Sequence, residues 1–247
     1  MKWLYRFARE WLFPRALLCP MLSCVVINWR ITLMNRSSCR VLLLSLLFAL
    51  IAALPSYAAS KDPGIGTMTK AERAYLLSEL KSSEKAMLQT IKGLTPAQWT
   101  YKPSPDTWSI AQCAEHLILA EDLIFGEAQK TLNTPAVARL DIATPTGDRQ
   151  VVAQLEDRSK KAKAPAILQP AGKFPTPQSA AEEFEIRRGK TISYVKSTKD
   201  ALRAHVGDGP SQSTRDVYQF LLEMAAHTVR HTAQMREVKS TPGYPRS

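Results

Sequence analysis

Residues Ser213 to Lys239 read STRDVYQFLLEMAAHTVRHTAQMREVK, and their spacing decides what kind of fold the chain can adopt. Val217, Phe220, Leu221, Met224, His227, His231, Met235 and Val238 recur at three- and four-residue intervals, so they line one face of an α-helix. Ser213 or Thr214 is the predicted cap, and Pro242-Gly243 ends the segment. Two imidazoles therefore lie on a stripe that is otherwise apolar and must face inward.

Three more long segments share this period. Thr69-Lys70-Ala71-Glu72 is a capping box that opens a helix over about residues 70–92. Leu76, Leu77, Leu80, Met87, Leu88 and Ile91 form its stripe, and Gly93 ends it. Thr95-Pro96 starts a short helical turn leading to Trp99, and YKPSPDTW, with Pro103 and Pro105, must run extended. Ser109, with Gln112 three residues on, caps a second helix that carries Ile110, Cys113, Leu117, Ala120 and Ile124 to about Leu132. Residues 133–177 hold six prolines and read as a long crossover with one helix near Asp148 to Ala162. Its basic end, DRSKKAKAP, suits a solvated helix C-terminus better than a binding patch. Thr176-Pro177 opens a third long helix through Ala181, Phe184, Ile192 and Val195, ending before Gly207. This stripe is the least regular, because Arg188 falls where an apolar residue is expected and Gly189 weakens the middle. No strand-like alternation and no repeat is visible. The prediction is an all-α protein, a four-helix bundle with one long crossover connection and at least one neighbouring pair of helices parallel.

Composition sharpens when the chain is divided. The 247 residues hold 33 Lys+Arg against 22 Asp+Glu, a formal charge of +11. Residues 1–58 hold seven of the bases and one acid, which leaves 26 bases and 21 acids, a net +5, over the other 189. That excess is too small to argue for a nucleic-acid partner. Three of the four cysteines also lie in the first part, so Cys113 has no internal disulfide partner in the rest. Residues 34–58 show the three parts of a secretory signal peptide: Arg36 and Arg40, the apolar run VLLLSLLFALIAAL, and small residues around Ala58. Pro55 and the small-residue tail favour cleavage over an uncleaved anchor. Residues 1–33 precede this unit and read as an over-extended N-terminus, with Met34 the start. The expected product is exported, periplasmic or secreted, with a linker over 59–68, a bundle domain over 69–245 and no stable membrane anchor.

Chemistry concentrates on histidine. His227 and His231, four apart, place both imidazoles on one helical face within reach of one ion. His116, on the second helix between Cys113 and Ala120, is a third candidate with room beside it. Three neutral imidazoles leave coordination positions open, as in catalytic sites. Three separate core histidines are the plainer alternative from spacing alone. Thr228 stands where a zincin of the HExxH type would carry its Glu, and there is no Gly-rich phosphate loop and no paired CxxC. His205, in ALRAHVG, sits at a predicted helix end and reads as a dipole-stabilising residue. Cys113 could serve as a soft ligand but reads better as a small buried apolar residue.

The segments LTPAQWTYKPSPDTWSIAQCAEHL and FLLEMAAHTVRHTAQMREVKSTPGYP together resemble the DinB-like superfamily, also called the YfiT-like metal-dependent hydrolases. The resemblance covers about residues 69–245. Its Trp-Ser helix start followed by one His, with HxxxH on the last helix, falls on His116, His227 and His231. It implies a four-helix bundle with a crossover after the second helix and a divalent metal on those three histidines: zinc or nickel first, manganese or iron next. It also implies hydrolase or thiol-dependent transferase chemistry on a small-molecule substrate. Export favours hydrolysis or ligand binding over thiol transfer. The contrasting expectation is a non-catalytic helical binding or interaction module with a structural or vestigial metal site. A homodimer is compatible with either. No catalytic base is assigned; Glu115, Glu121 and Glu223 are near the histidines in sequence only.

Overall fold

The computed structural model describes residues 66–137, 141–159, 163–209 and 213–246, all within one compact unit that runs from Ala59 to the C-terminus. The segments read as an over-extended start and an export signal lie outside the described residues, as does most of the linker. Among the described residues no helix is long and apolar enough to cross a membrane.

Among the described residues six α-helices follow in chain order: α1 Lys70–Ile91, α2 Pro96–Thr100, α3 Ile110–Leu132, α4 Pro145–Glu156, α5 Pro177–Ser197 and α6 Val217–Lys239. The predicted capping boxes form at Thr69/Glu72 and Ser109/Gln112, and Gly93, at φ +71°, follows α1. Three helices start at a Thr-Pro pair, where the Thr hydroxyl accepts a backbone N–H and proline's missing N–H costs nothing. That signal places α4 three residues earlier than expected, with Thr144 as its cap, and the helix ends at Glu156. Two further boundaries differ from the sequence reading. Helix α5 stops at Ser197, because the Thr198 hydroxyl accepts from the Asp200 N–H and donates to the Asp200 carboxylate, a local turn that competes with the helix. Helix α6 is capped by Asp216 and Gln219, since Ser213 lies ahead of, and Thr214 within, a strand. That strand, β2 Thr214–Asp216, pairs antiparallel with β1 Val206–Asp208.

The long helices α1, α6, α3 and α5 form the bundle, each packing on the next and α5 closing back on α1. Two apolar clusters show the helix directions. Leu76 and Leu80 of α1, Ile124 and Ala128 of α3, Ile192 and Val195 of α5, and Val217 to Ala225 of α6 contribute to one. Met87 and Ile91 of α1, Ile110 to Ile118 of α3, Ala180 and Phe184 of α5, and Met235 and Val238 of α6 contribute to the other. Helices α1 and α6 thus start in the first cluster, whereas α3 and α5 start in the second. Tyr218 Oη donating to the Glu72 carbonyl, at the two N-terminal ends, and Lys239 Nζ donating to the Thr90 carbonyl, at the two C-terminal ends, confirm that α1 and α6 run parallel. The long crossover makes the second parallel pair, α3 and α5, possible.

Between the clusters lies a polar layer built around Arg188, which is fully buried. Its guanidinium donates to both carboxylate oxygens of Glu121 (3.0 and 2.5 Å) and, at 2.8 Å each, to the Leu80 carbonyl, Ser83 Oγ and Thr228 Oγ1. One side chain from α5 therefore bonds to the other three helices of the bundle. The irregular position in the α5 stripe is a core position with its charge and donors matched. At the end of the bundle where α1 and α6 begin, Arg203 pairs with Glu72, Asp148 and Asp216 at 2.5–2.9 Å and lies over the Tyr218 ring.

Candidate metal centre

The antiparallel contact of α3 with α6 brings His116 against His227 and His231. The nearest ring nitrogens of the three lie within 4.8 Å of one another. His116 Nε2 is 3.1 Å from His227 Nε2, and the three ring centroids are 4.5–4.9 Å apart. Two nitrogens each about 2.05 Å from one tetrahedral ion would stand about 3.3 Å apart, so the donor set fits a divalent cation. Among the described residues no carboxylate belongs to the cluster.

The surroundings prepare these rings as ligands. His116 Nδ1 donates to the Leu168 carbonyl at 2.9 Å, and His231 Nδ1 donates to Gln234 Oε1 at 2.9 Å. The Leu168 carbonyl can only accept, so His116 Nδ1 carries the proton and Nε2 keeps its lone pair for the cluster; Gln234, presenting its Oε1, favours the same form of His231. His227 has no such partner on Nδ1 among the described residues. Burial lowers all three pKa values: His231 is pushed down to about 3, His116 is lowered despite its Leu168 bond, and His227 falls well below the ordinary value. The facing imidazoles add to the burial effect at His227, as His116 does at His231. The trio is neutral at pH 7, the form a cation requires.

Trp108 walls the cluster, its ring 4.9 Å from that of His116 and stacked 6.2 Å from that of His231. Trp108, Leu168 and Gln234 are parts of the site that residue spacing did not single out. Trp108 was visible only as a motif marker, and the Leu168 contact is made by backbone, which leaves no sequence signal.

The remaining candidates separate from the site. Cys113 is buried among apolar residues and its thiol is pushed up to about 12, so it behaves as a core residue. His205 lies between a turn and β1, beside the C-terminal end of α3, where Nδ1 donates to the Thr134 carbonyl just past the helix. The three nearby glutamates are each engaged: Glu115 with the backbone N–H groups of Ala171, Gly172 and Lys173, Glu121 with Arg188, and Glu223 with Arg215 at 3.0 Å. A cavity of about 330 Å³ lined by Gln129, Leu132, Asn133, Asp200, Ala201 and His205 shares no residue with the trio. Gln129 lies about 20 Å along α3 from His116, so this cavity is not the mouth of the imidazole site.

A helical bundle with parallel α1 and α6 and an imidazole trio on α3 and α6 defines a class of helical protein with a metal-type site. Residues 79–235 match the family model described as the DinB superfamily, and the chain belongs to that superfamily. It is 28% identical over 158 residues to the uncharacterized protein YuaE of Bacillus subtilis (strain 168), covering 63% of this chain and 93% of that one. Among solved structures it resembles YfiT from Bacillus subtilis, described as a probable metal-dependent hydrolase with an unusual four-helix bundle topology. The TM-score is 0.47 and the identity 15%, with 70% of this chain and 89% of that one covered.

Proposed function

We propose that the chain is an exported metal-dependent hydrolase or transferase that holds one divalent ion on His116, His227 and His231. The observation that carries this reading is the convergence of three neutral imidazoles, two with Nε2 freed by a bond at Nδ1, with no anion among them. A cation satisfies all three lone pairs at once, and zinc and nickel suit imidazole ligands. Once bound, the ion would act as a Lewis acid and lower the pKa of a coordinated water or substrate thiol. The chain's own contribution is to present the rings, and Trp108 offers a flat apolar wall to whatever small molecule enters.

The alternative, a non-catalytic binding module with a structural metal, draws support from one observation. Glu115, Glu121 and Glu223 are all engaged, so none is free to act as a general base.

Elemental analysis of the purified full chain tests the site. Near-stoichiometric divalent metal, lost in His227→Ala, supports it, whereas metal-free wild-type protein at full helicity refutes it. Turnover of hydrolysable ester, amide or phosphate substrates by the metal-loaded protein then selects the enzyme reading, and chelation that lowers the melting temperature with no activity to lose selects the module. Fractionation of expressing cells tests export.

A further inference from the structure

We propose that Glu115 is the positioning residue of the imidazole trio, acting through the crossover segment Leu168–Lys173 to set the tautomer and orientation of His116. The inference rests on the metal-site reading for its consequence and on hydrogen bonds alone for its mechanism.

Glu115 and His116 are neighbours on α3, and both grip the same stretch of crossover. The Glu115 carboxylate, 2% exposed, accepts from the backbone N–H groups of Ala171 and Gly172 at 2.8 Å each and of Lys173 at 3.2 Å. Three successive N–H groups turned onto one anion form a nest, and Gly172, at φ +82°, supplies the left-handed residue that such a turn favours. A few residues upstream, the short 3-10 turn Ala166–Leu168 presents the Leu168 carbonyl to His116 Nδ1 at 2.9 Å. The crossover has no long helix or sheet here to hold that carbonyl. Its anchors are the Glu115 nest, Trp99 Nε1 donating to the Phe174 carbonyl at 3.1 Å, and the Leu168 side chain in the core.

The Leu168 carbonyl can only accept, so it holds the proton on His116 Nδ1 and leaves Nε2 bare toward His227. If the nest loosens, the carbonyl drifts and the proton redistributes between the two nitrogens. Those His116 rings protonated on Nε2 would then present an N–H where a lone pair is needed. Glu115 does not touch the imidazole and takes no part in proton transfer; it fixes the partner that fixes the ring. Substitution by Gln replaces one acceptor oxygen with an NH2 group that opposes the backbone donors, at nearly constant volume.

The test uses the full chain, metal-free, with 15N-labelled histidine, and compares wild type with Glu115→Gln and Gly172→Ala. The second variant strains the nest from its exposed side, where an added Cβ meets nothing within 4 Å. Long-range 1H–15N correlation spectra report the tautomer of each ring, and competition with a chromophoric chelator reports zinc affinity. The expected result is a single Nδ1–H form of His116 in wild type and a mixture in Glu115→Gln, with zinc affinity about 10- to 100-fold weaker, the usual consequence of losing an outer-shell partner. Gly172→Ala shifts both in the same direction by less. Folded variants that keep the wild-type His116 signature and zinc affinity overturn the proposal, and should Glu115→Gln not fold, the His116 signature of Gly172→Ala decides alone. A wild type that binds no zinc, but whose His116 tautomer still responds to these variants, leaves the positioning role standing and removes the metal reading.

Discussion

Two buried polar clusters meet on α6, where Thr228 of one directly follows His227 of the other, and they are opposites. Around Arg188 every guanidinium N–H finds an acceptor and the charge is matched by Glu121, with Thr228 completing the shell. One residue earlier on the helix, His227 faces two imidazoles like itself, with no anion and no partner on its own Nδ1 among the described residues. A saturated ion pair inside a bundle is architecture, and breaking it harms the fold. A group of neutral ligands with inward lone pairs contributes little to the fold by itself and is completed by something added.

The sharpest way to break this contrast is His227→Ala. It should abolish stoichiometric metal binding yet leave the melting temperature of the chelator-treated protein nearly unchanged. A collapse in stability without metal would make the trio structural and erase the distinction.

Lowering pH is next in size. The folded state holds His231 at about 3, against an ordinary 6.5, so between those values the unfolded chain binds more protons. Stability from this group is fully present above about pH 6.5 and is lost as pH falls toward 3. At about 1.4 kcal/mol per pH unit the loss approaches about 5 kcal/mol, an upper bound. Denaturant melts of metal-free wild type and His231→Ala across this range isolate it. Asp216, raised by burial to about 6, contributes in the opposite sense between its ordinary value and that one, in both proteins.

Arg188→Ala leaves Glu121 buried without its cation and should cost about 3–5 kcal/mol in urea unfolding. The paired change Arg188→Met with Glu121→Leu should recover most of that, because neither charge then remains buried. Smallest is Thr228→Val, which keeps shape and removes one acceptor from Arg188: about 1–2 kcal/mol of stability, with zinc affinity unchanged. A fall in affinity there would show that the two clusters are energetically one.

Much of the scaffold was legible because it is written locally. Capping boxes at Thr69 and Ser109 and the apolar stripes of α1, α3 and α6 need only neighbours within a few residues, and each formed where expected. The errors came where distant or very local polar groups overrode the period. The Thr198–Asp200 turn ended α5 early, and three-residue strands too short to show alternation moved the α6 cap to Asp216. Arg188 read as a flaw in α5 because its acceptors lie on three other helices. Of the candidate site, the three histidines were visible through inward facing and family resemblance, but Glu115 was not, since its partners are backbone N–H groups more than fifty residues away.

Sequence alone determined that this chain makes four long amphipathic helices with histidines on the inner faces of two of them. Periodicity and capping are short-range properties that each segment carries with it. Only the tertiary structure decided that α1 and α6 run parallel, that the His116 ring meets the other two, and that the crossover turns its Leu168 carbonyl onto that ring. Those outcomes depend on which apolar stripes pack together and on backbone groups that every residue possesses alike.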